Sequence, residues 1–196
     1  MTRNYLVLLA ATATLGLSAC GSEPASTPEP DSSSAPAKEM AGNASVYTAL
    51  DLDKCKLVDA QTEEGASAEW ECAGFGDVPL VVEEGDGRFD VDAGVKNAAF
   101  ETVGAFNSLG DTVEWRLRDG KPFAIIFRYS DATEEGKGRT VLAVEKVGDV
   151  AVPGCRVAQI AGDVENANEV ARELADTNVP DFVCGTSEMA VVGGAL

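Results

Sequence analysis

The sequence predicts an α+β domain: an antiparallel β-sheet or meander, with one helix from the C-terminal half packed on it and two disulfides. Three observations predict it. Val113, Trp115 and Leu117 alternate with Glu114, Arg116 and Arg118, and two further apolar runs follow, Phe123 to Tyr129 and Arg139 to Lys146. Only one stretch, Asp163 to Asp176, carries a clear helical stripe, made by Val164, Ala167, Val170, Ala171, Leu174 and Ala175. Four cysteines, Cys55, Cys72, Cys155 and Cys184, fall inside the globular part.

The chain begins with a different kind of segment. Arg3 is the only charged residue before Glu23, and Tyr5 to Leu17 is largely apolar. This is a short basic n-region with an h-region, too short for a bilayer-spanning helix. Leu17-Ser18-Ala19-Cys20-Gly21 follows. Ordinary signal cleavage prefers a small residue where Leu17 stands. The segment resembles the signal and lipobox of bacterial lipoproteins. That resemblance implies removal of residues 1–19, a diacylglyceryl group on the Cys20 sulfur and an acyl chain on its amino group. Each buried methylene contributes about 0.8 kcal/mol, so several chains hold where one would not. Gly21 and Ser22 follow the cysteine, where an Asp tends to retain such proteins at the inner membrane. The expected location is the cell envelope, lipid-anchored at the periplasmic face of the outer membrane.

Residues 20–44 are rich in Pro, Ser, Ala and acids, with nothing large and apolar before Met40. Such a stretch cannot bury enough surface to offset its ordering entropy, so it is expected to be a disordered tether. Residues 45–196 have globular composition and the length of a single domain.

Along that domain, Val46 to Leu52 is an apolar entry, strand or short helix. Glu69 to Cys72, Val78 to Glu83 and Arg88 to Asp92 are strands, the last two joined through the turn residues Glu84-Gly85-Asp86-Gly87. Val95 to Ser108 is ambiguous: Val95, Ala98, Ala99, Val103 and Phe106 have near-helical spacing, but Gly104 falls inside the stretch and Gly94 just before it. Asp119-Gly120 turns the chain between the Val113 and Phe123 strands. The strand Phe123 to Tyr129 is apolar on both faces at its centre, so it should be the best buried. Cys155 to Ile160 is a further strand. Asp163 is expected to cap the helix, Glu165 suits its positive end, and Asn178 and Pro180 end it. Pro122 to Ile126 and Asn166 to Ala171 resemble segments of a group of uncharacterised secreted bacterial proteins, a resemblance that names no activity.

The lipobox resemblance implies that Cys20 carries lipid, which leaves an even four in an oxidising space, with three connectivities possible. Pairing Cys55 with Cys72 and Cys155 with Cys184 closes the shortest loops at least entropic cost. Each bridge is worth around 3 kcal/mol in the chain-entropy model. A four-thiolate metal site would want a Cys-x-x-Cys pair, and none is present.

Lys and Arg total 15 against 33 Asp and Glu, for a net charge of −18, and there is no histidine. The acidic surplus argues against nucleic acid and anionic lipid surfaces, favours a monomer, and makes a basic protein the natural partner. The missing histidine removes Ser-His-Asp and Cys-His nucleophile systems. No catalytic, cofactor-binding or metal-binding residue is therefore assigned. Asp90, Asp92 and Glu101 match positions one, three and twelve of a calcium loop, but Gly94 and Val95 fail at five and six. They are expected to be solvated. Glu83, Glu84 and Asp86 could form half of a glycosidase-like acid pair, without a marked partner. Trp70 and Trp115 are expected in the core.

The expected function is a non-catalytic envelope module that binds a basic protein or cell-wall component. Its compartment, charge and disulfides resemble those of periplasmic lysozyme inhibitors. The alternatives are a carboxylate-based glycan hydrolase and a structural envelope assembly factor.

Overall fold

The computed structural model describes residues 42–63 and 65–194. Residues 1–19, Cys20 and most of the expected tether lie outside them. No helix among the described residues is long and apolar enough to cross a membrane.

The chain opens with β1 (Asn43–Ala49), which resolves the strand-or-helix choice at the entry. After a 3-10 turn come β2 (Lys56–Gln61), β3 (Ser67–Phe75), β4 (Val78–Gly85) and β5 (Arg88–Ala93). These four strands form an antiparallel meander in chain order. A long irregular segment then leads to β6 (Asn107–Leu109), β7 (Thr112–Arg118), β8 (Lys121–Asp131) and β9 (Thr140–Lys146). After β10 (Arg156–Ala161) the helix α1 spans Ala167–Asn178, and β11 (Ala190–Val192) closes the series. The second sheet runs β1-β7-β8-β9-β10-β11, with β6 also paired to β8. Its pairs are antiparallel except β10 with β11.

Three layers result, because the second sheet buries both faces. On one side, Trp115, Phe127, Tyr129 and Val141 pack with Leu80, Val82 and Val91 of the meander. On the other, Ile126, Val144, Val157 and Ile160 pack with Ala167, Ala171 and Ala175 of the helix. The small alanines let the helix approach the sheet closely. A strand apolar on both faces fits this middle layer, and Ile125 is fully buried there. Trp115 is also fully buried, while Trp70 is partly buried against the same core.

One expectation about local structure is corrected, and one ambiguity is resolved. The helix begins at Ala167, four residues past Asp163, and its N-cap is Asn166 in the left-handed region (φ 57°), with no side-chain cap bond. Asn tolerates that conformation better than most residues. Val95 to Ser108 does not form a helix. Gly104 interrupts it, and the backbone N–H groups of Asn97 and Glu101 donate to the Asp92 and Asp90 carboxylates of β5 instead of to carbonyls one helical turn back.

Both disulfides are present as paired above, Cys55–Cys72 with a Cα separation of 4.5 Å and Cys155–Cys184 with 5.8 Å. The second ties the segment after α1 to the start of β10.

Candidate functional site: a buried acid network beneath an aromatic groove

Asp90 and Asp92 alternate with Val91 and Ala93, so the apolar pair enters the core and the acids take the other face of β5. That face should meet solvent. Instead the segment 94–106 folds back over it, leaving Asp90 1% and Asp92 2% exposed. The solvated reading of these two acids is thus corrected.

The covering segment is held by the acids themselves. Asn97 donates its backbone N–H to Asp92 Oδ2 at 3.0 Å and its Nδ2 to Oδ1 at 2.6 Å. Glu101 donates its N–H to Asp90 Oδ2 at 2.7 Å, and Val91 donates to Oδ1 at 2.8 Å. Close backbone approach fixes the end of β5. Gly94 has φ +93°, and a Cβ there would lie 2.1 Å from the Gly148 carbonyl oxygen. Gly148 in turn donates its N–H to the Ala93 carbonyl at 2.9 Å.

Beneath the acids, Arg156 is 3% exposed and Glu145 1% exposed. Arg156 Nε donates to Glu145 Oε2 at 2.9 Å, and Nη2 donates to the Tyr129 hydroxyl at 3.0 Å, reaching Asp90 Oδ1 at 3.5 Å. The Arg156 N–H donates to Glu101 Oε2 at 2.8 Å. The guanidinium lies 5.3 Å from the Phe127 ring centroid and 5.4 Å from that of Tyr129, within cation–π range. Glu145 Oε1 and Arg156 Nη1 are buried without a partner among the described residues. Lys96 closes the outer side, bonding Glu69 at 2.6 Å and Glu83 at 2.7 Å.

The electrostatics follow from burial. Burial pushes the Asp92 carboxyl up to about 7, with the Asp90, Glu83 and Glu101 charges adding to it and the Asn97 bond opposing. Asp90 rises to about 6 for the same reason, against the pull of Arg156. Burial also holds Glu145 well above the usual carboxylate range despite its bond to Arg156. The Tyr129 phenol is pushed up to about 12, again by burial. Burial works against the Arg156 charge, but Tyr129, Glu145 and Asp90 outweigh it and keep the guanidinium protonated.

Glu83, Asp90 and Asp92 bring carboxylate oxygens within 4.8 Å of one another. Those oxygens already accept from Asn97, Glu101, Val91, Arg156 and Lys96, so the trio is assigned as part of the network and not as a metal site. Segment 94–106 shields Asp90 and Asp92 from solvent.

The same segment carries two aromatic side chains outward. Phe100 is 46% and Phe106 50% exposed. They wall an open groove of about 860 Å³ with Gly65 to Ser67 and the β4–β5 hairpin, Glu83 to Arg88. The hairpin turns through Asp86 (φ 53°) and Gly87 (φ 70°), the pair of positive φ angles that an Asp-Gly turn supplies. A Cβ on Gly87 would come within 3.2 Å of the Phe106 ring, so glycine there also seats the aromatic. Arg88 pairs with Asp86 at 2.6 Å and its guanidinium sits 5.6 Å from the Phe106 centroid. Glu84 Oε1 accepts the Gly87 N–H at 2.8 Å.

Of the acids singled out in the sequence, Glu83, Glu84 and Asp86 line this groove, while Asp90 and Asp92 lie in the network below. Glu145 and Arg156 were not singled out. The available signal was the period of β9: Val141, Ala143 and Glu145 share one face, so Glu145 must point into the core. A second cavity, about 750 Å³, lies beside Cys155–Cys184 and includes Glu101, Lys146 and Phe182.

No protein-family model matches this chain, and no curated protein or solved structure matches it either.

Proposed function

We propose that this chain is a lipid-anchored envelope lipoprotein, held by Cys20 at the periplasmic face of the outer membrane, whose domain binds a basic protein partner without catalysis. The observation that carries the binding role is the acid-rimmed aromatic groove. Phe100 and Phe106 are half exposed on a chain of net charge −18, with Glu83, Glu84 and Asp86 beside them. Aromatics with one wet face are the residues that dominate interfaces, and acids around them favour Lys and Arg side chains. Arg88 over Phe106 already shows the ring accepting a cation. The lipobox supports the anchor, and the chain's acidity means that lipid rather than charge must hold it to a membrane.

The non-catalytic reading is supported by where the raised carboxyls lie. Asp90, Asp92 and Glu145 have the shifted proton affinity that a hydrolase acid needs, but all three are 2% exposed or less.

The test is fluorescence anisotropy with a fluorescein-labelled Lys/Arg-rich peptide. Saturable binding is expected, and a Phe100→Ala/Phe106→Ala variant should weaken it at least about tenfold, the usual scale for aromatic hot spots. This substitution leaves the net charge unchanged, so equal binding by the variant would overturn the groove.

A further inference from the structure

We propose that the apolar tip of loop 148–154, Val150 to Val152, enters the surface of the bilayer to which the chain is anchored and so turns the aromatic groove away from that bilayer. The bilayer as occupant rests on the anchor reading above, and the closing experiment reads anchor and tip separately.

The loop is apolar where loops are usually polar. Between Val147 and Cys155 the only charged residue is Asp149. Asp149 to Pro153 are all exposed, Val150 by 91% and Val152 by 57%. Val183, 58% exposed, lines one cavity with Val152 and Pro153. A single surface valine needs no explanation, but an unbroken exposed run of Val150, Ala151, Val152 and Pro153 is a patch of the kind that marks a contact surface.

The loop also holds its tip in one shape. Asp149 Oδ1 accepts the N–H groups of Ala151 and Val152, each at 2.8 Å, and the Asp149 N–H donates to the Val152 carbonyl at 2.9 Å. The one carboxylate is thus engaged by the loop's own backbone. The neck is narrow. A Cβ on Gly148 would lie 2.0 Å from the Gly154 nitrogen, and one on Gly154 would lie 2.1 Å from the Lys146 carbonyl oxygen. The Gly148 N–H donates to the Ala93 carbonyl, which ties the neck to β5. The tip therefore meets a surface without the ordering cost that a loose loop incurs.

The sheet register places this tip where the chain from Cys20 enters the domain. Asn43 pairs with Arg118, and Arg118 with Lys121 at the start of β8. Ala124 pairs with Lys146 at the end of β9, and Glu145 with Arg156 at the start of β10. Loop 148–154 and the chain entry at Gly42 therefore share one end of the second sheet, three strand spacings or about 15 Å apart. The groove lies at the other end. Phe123 accepts the Val147 N–H on the tip side, whereas Phe106 accepts the Ala132 N–H and Gly87 the Asn107 N–H on the groove side. Phe123 and Ala132 are about 30 Å apart along the strand. A tip resting on the bilayer thus leaves the groove facing outward, open to a partner. Net charge supplies no such contact, because −18 overall is repelled by anionic headgroups. Two valines and an alanine are too few to hold a protein on a membrane alone, so the lipid on Cys20 must supply the local concentration. Residues 21–42 can stretch to at most about 75 Å, so reach is not limiting.

Amide relaxation of the full chain in phosphatidylcholine nanodiscs that carry a nitroxide-labelled lipid tests this. Enhancement should be strongest at Val150 to Val152 and Val183, and weakest at Glu84 to Gly87 and Phe106. Val150→Ser/Val152→Ser changes no charge and alters only exposed side chains, so it should abolish the enhancement at the tip and leave the amide shifts of β8 in place. Enhancement centred on the groove, spread evenly over the domain, or surviving in the variant would overturn the proposal. A silent tip would overturn it too, and would leave the patch to a protein partner. If the variant does not fold, the wild-type map decides alone. Mass spectrometry of Cys20 reads the anchor separately. Lipid on Cys20 with a silent tip would overturn the tip and keep the anchor, and relaxation at the tip without that lipid would do the reverse.

Discussion

Arg156 donates to Glu145 at 2.9 Å between β10 and β9, with both side chains 2% exposed or less. Their Cα atoms are paired across the two strands, so the bond is built into the sheet register. Its worth lies less in net stability than in what its loss would expose. Removing one member of a buried pair leaves an uncompensated charge, which costs about 3–5 kcal/mol. Arg156→Met should therefore destabilise the domain by about that amount in urea titrations. Arg156→Met/Glu145→Leu should recover part of the loss, because it removes both charges. A cost below about 1 kcal/mol for the single change would mean that the network holds nothing together.

Stability should fall as pH rises. Asp92 at about 7 and Asp90 at about 6 both sit above the ordinary Asp value near 4, so the folded state binds more protons than the unfolded state between those limits. The contribution is complete below about pH 4 and is lost through pH 6 to 7. Urea midpoints should be higher at pH 5 than at pH 8. Asp92→Asn should flatten the slope, each titrating group accounting for up to about 1.4 kcal/mol per pH unit. A midpoint that rises with pH would contradict the assignment.

The middle layer should tolerate no charge. Ile125 is fully buried in β8, so Ile125→Asp places an unpaired carboxylate in the core and should prevent folding at a cost of several kcal/mol. Glu169 is exposed in the first turn of α1. Glu169→Lys should cost only about 0.5–1 kcal/mol, the loss of a favourable charge at the helix N-terminus. Thermal melts of the two variants distinguish them directly, and comparable losses would mean that the helix face has been misassigned.

Much of this fold was legible because its pattern is local. Alternation in β7, apolarity on both faces of β8 and the alanine stripe of α1 each follow from their own residues. The disulfides followed from cysteine parity and loop length. What was not legible depends on distant chain. β2 is exposed along its whole length and carries no burial pattern, and β11 is three residues long. Asp90 and Asp92 alternate as solvent-facing acids do. Only the return of segment 94–106 buries them, and nothing in β5 announces it. Phe106 was counted in a helical spacing because Gly87, which seats it, is nineteen residues away in sequence. The groove and the acid network therefore share one cause of illegibility: an irregular segment whose position is set by bonds to another strand.

Membrane association should depend on one atom. Cys20→Ala should abolish fatty-acid labelling and release the chain from the membrane fraction, because no other expected lipid attachment point precedes the domain. Labelling that persists in the variant would contradict the anchor.

The most direct measurement of the binding claim is an amide chemical-shift titration of the isotope-labelled protein with the Lys/Arg-rich peptide. The account predicts that perturbations concentrate at Gly65 to Ser67, Glu83 to Arg88, and Phe100 to Phe106, the residues that wall the groove. Perturbations centred on the cavity beside Cys155–Cys184, or spread evenly over the acidic surface, would contradict it.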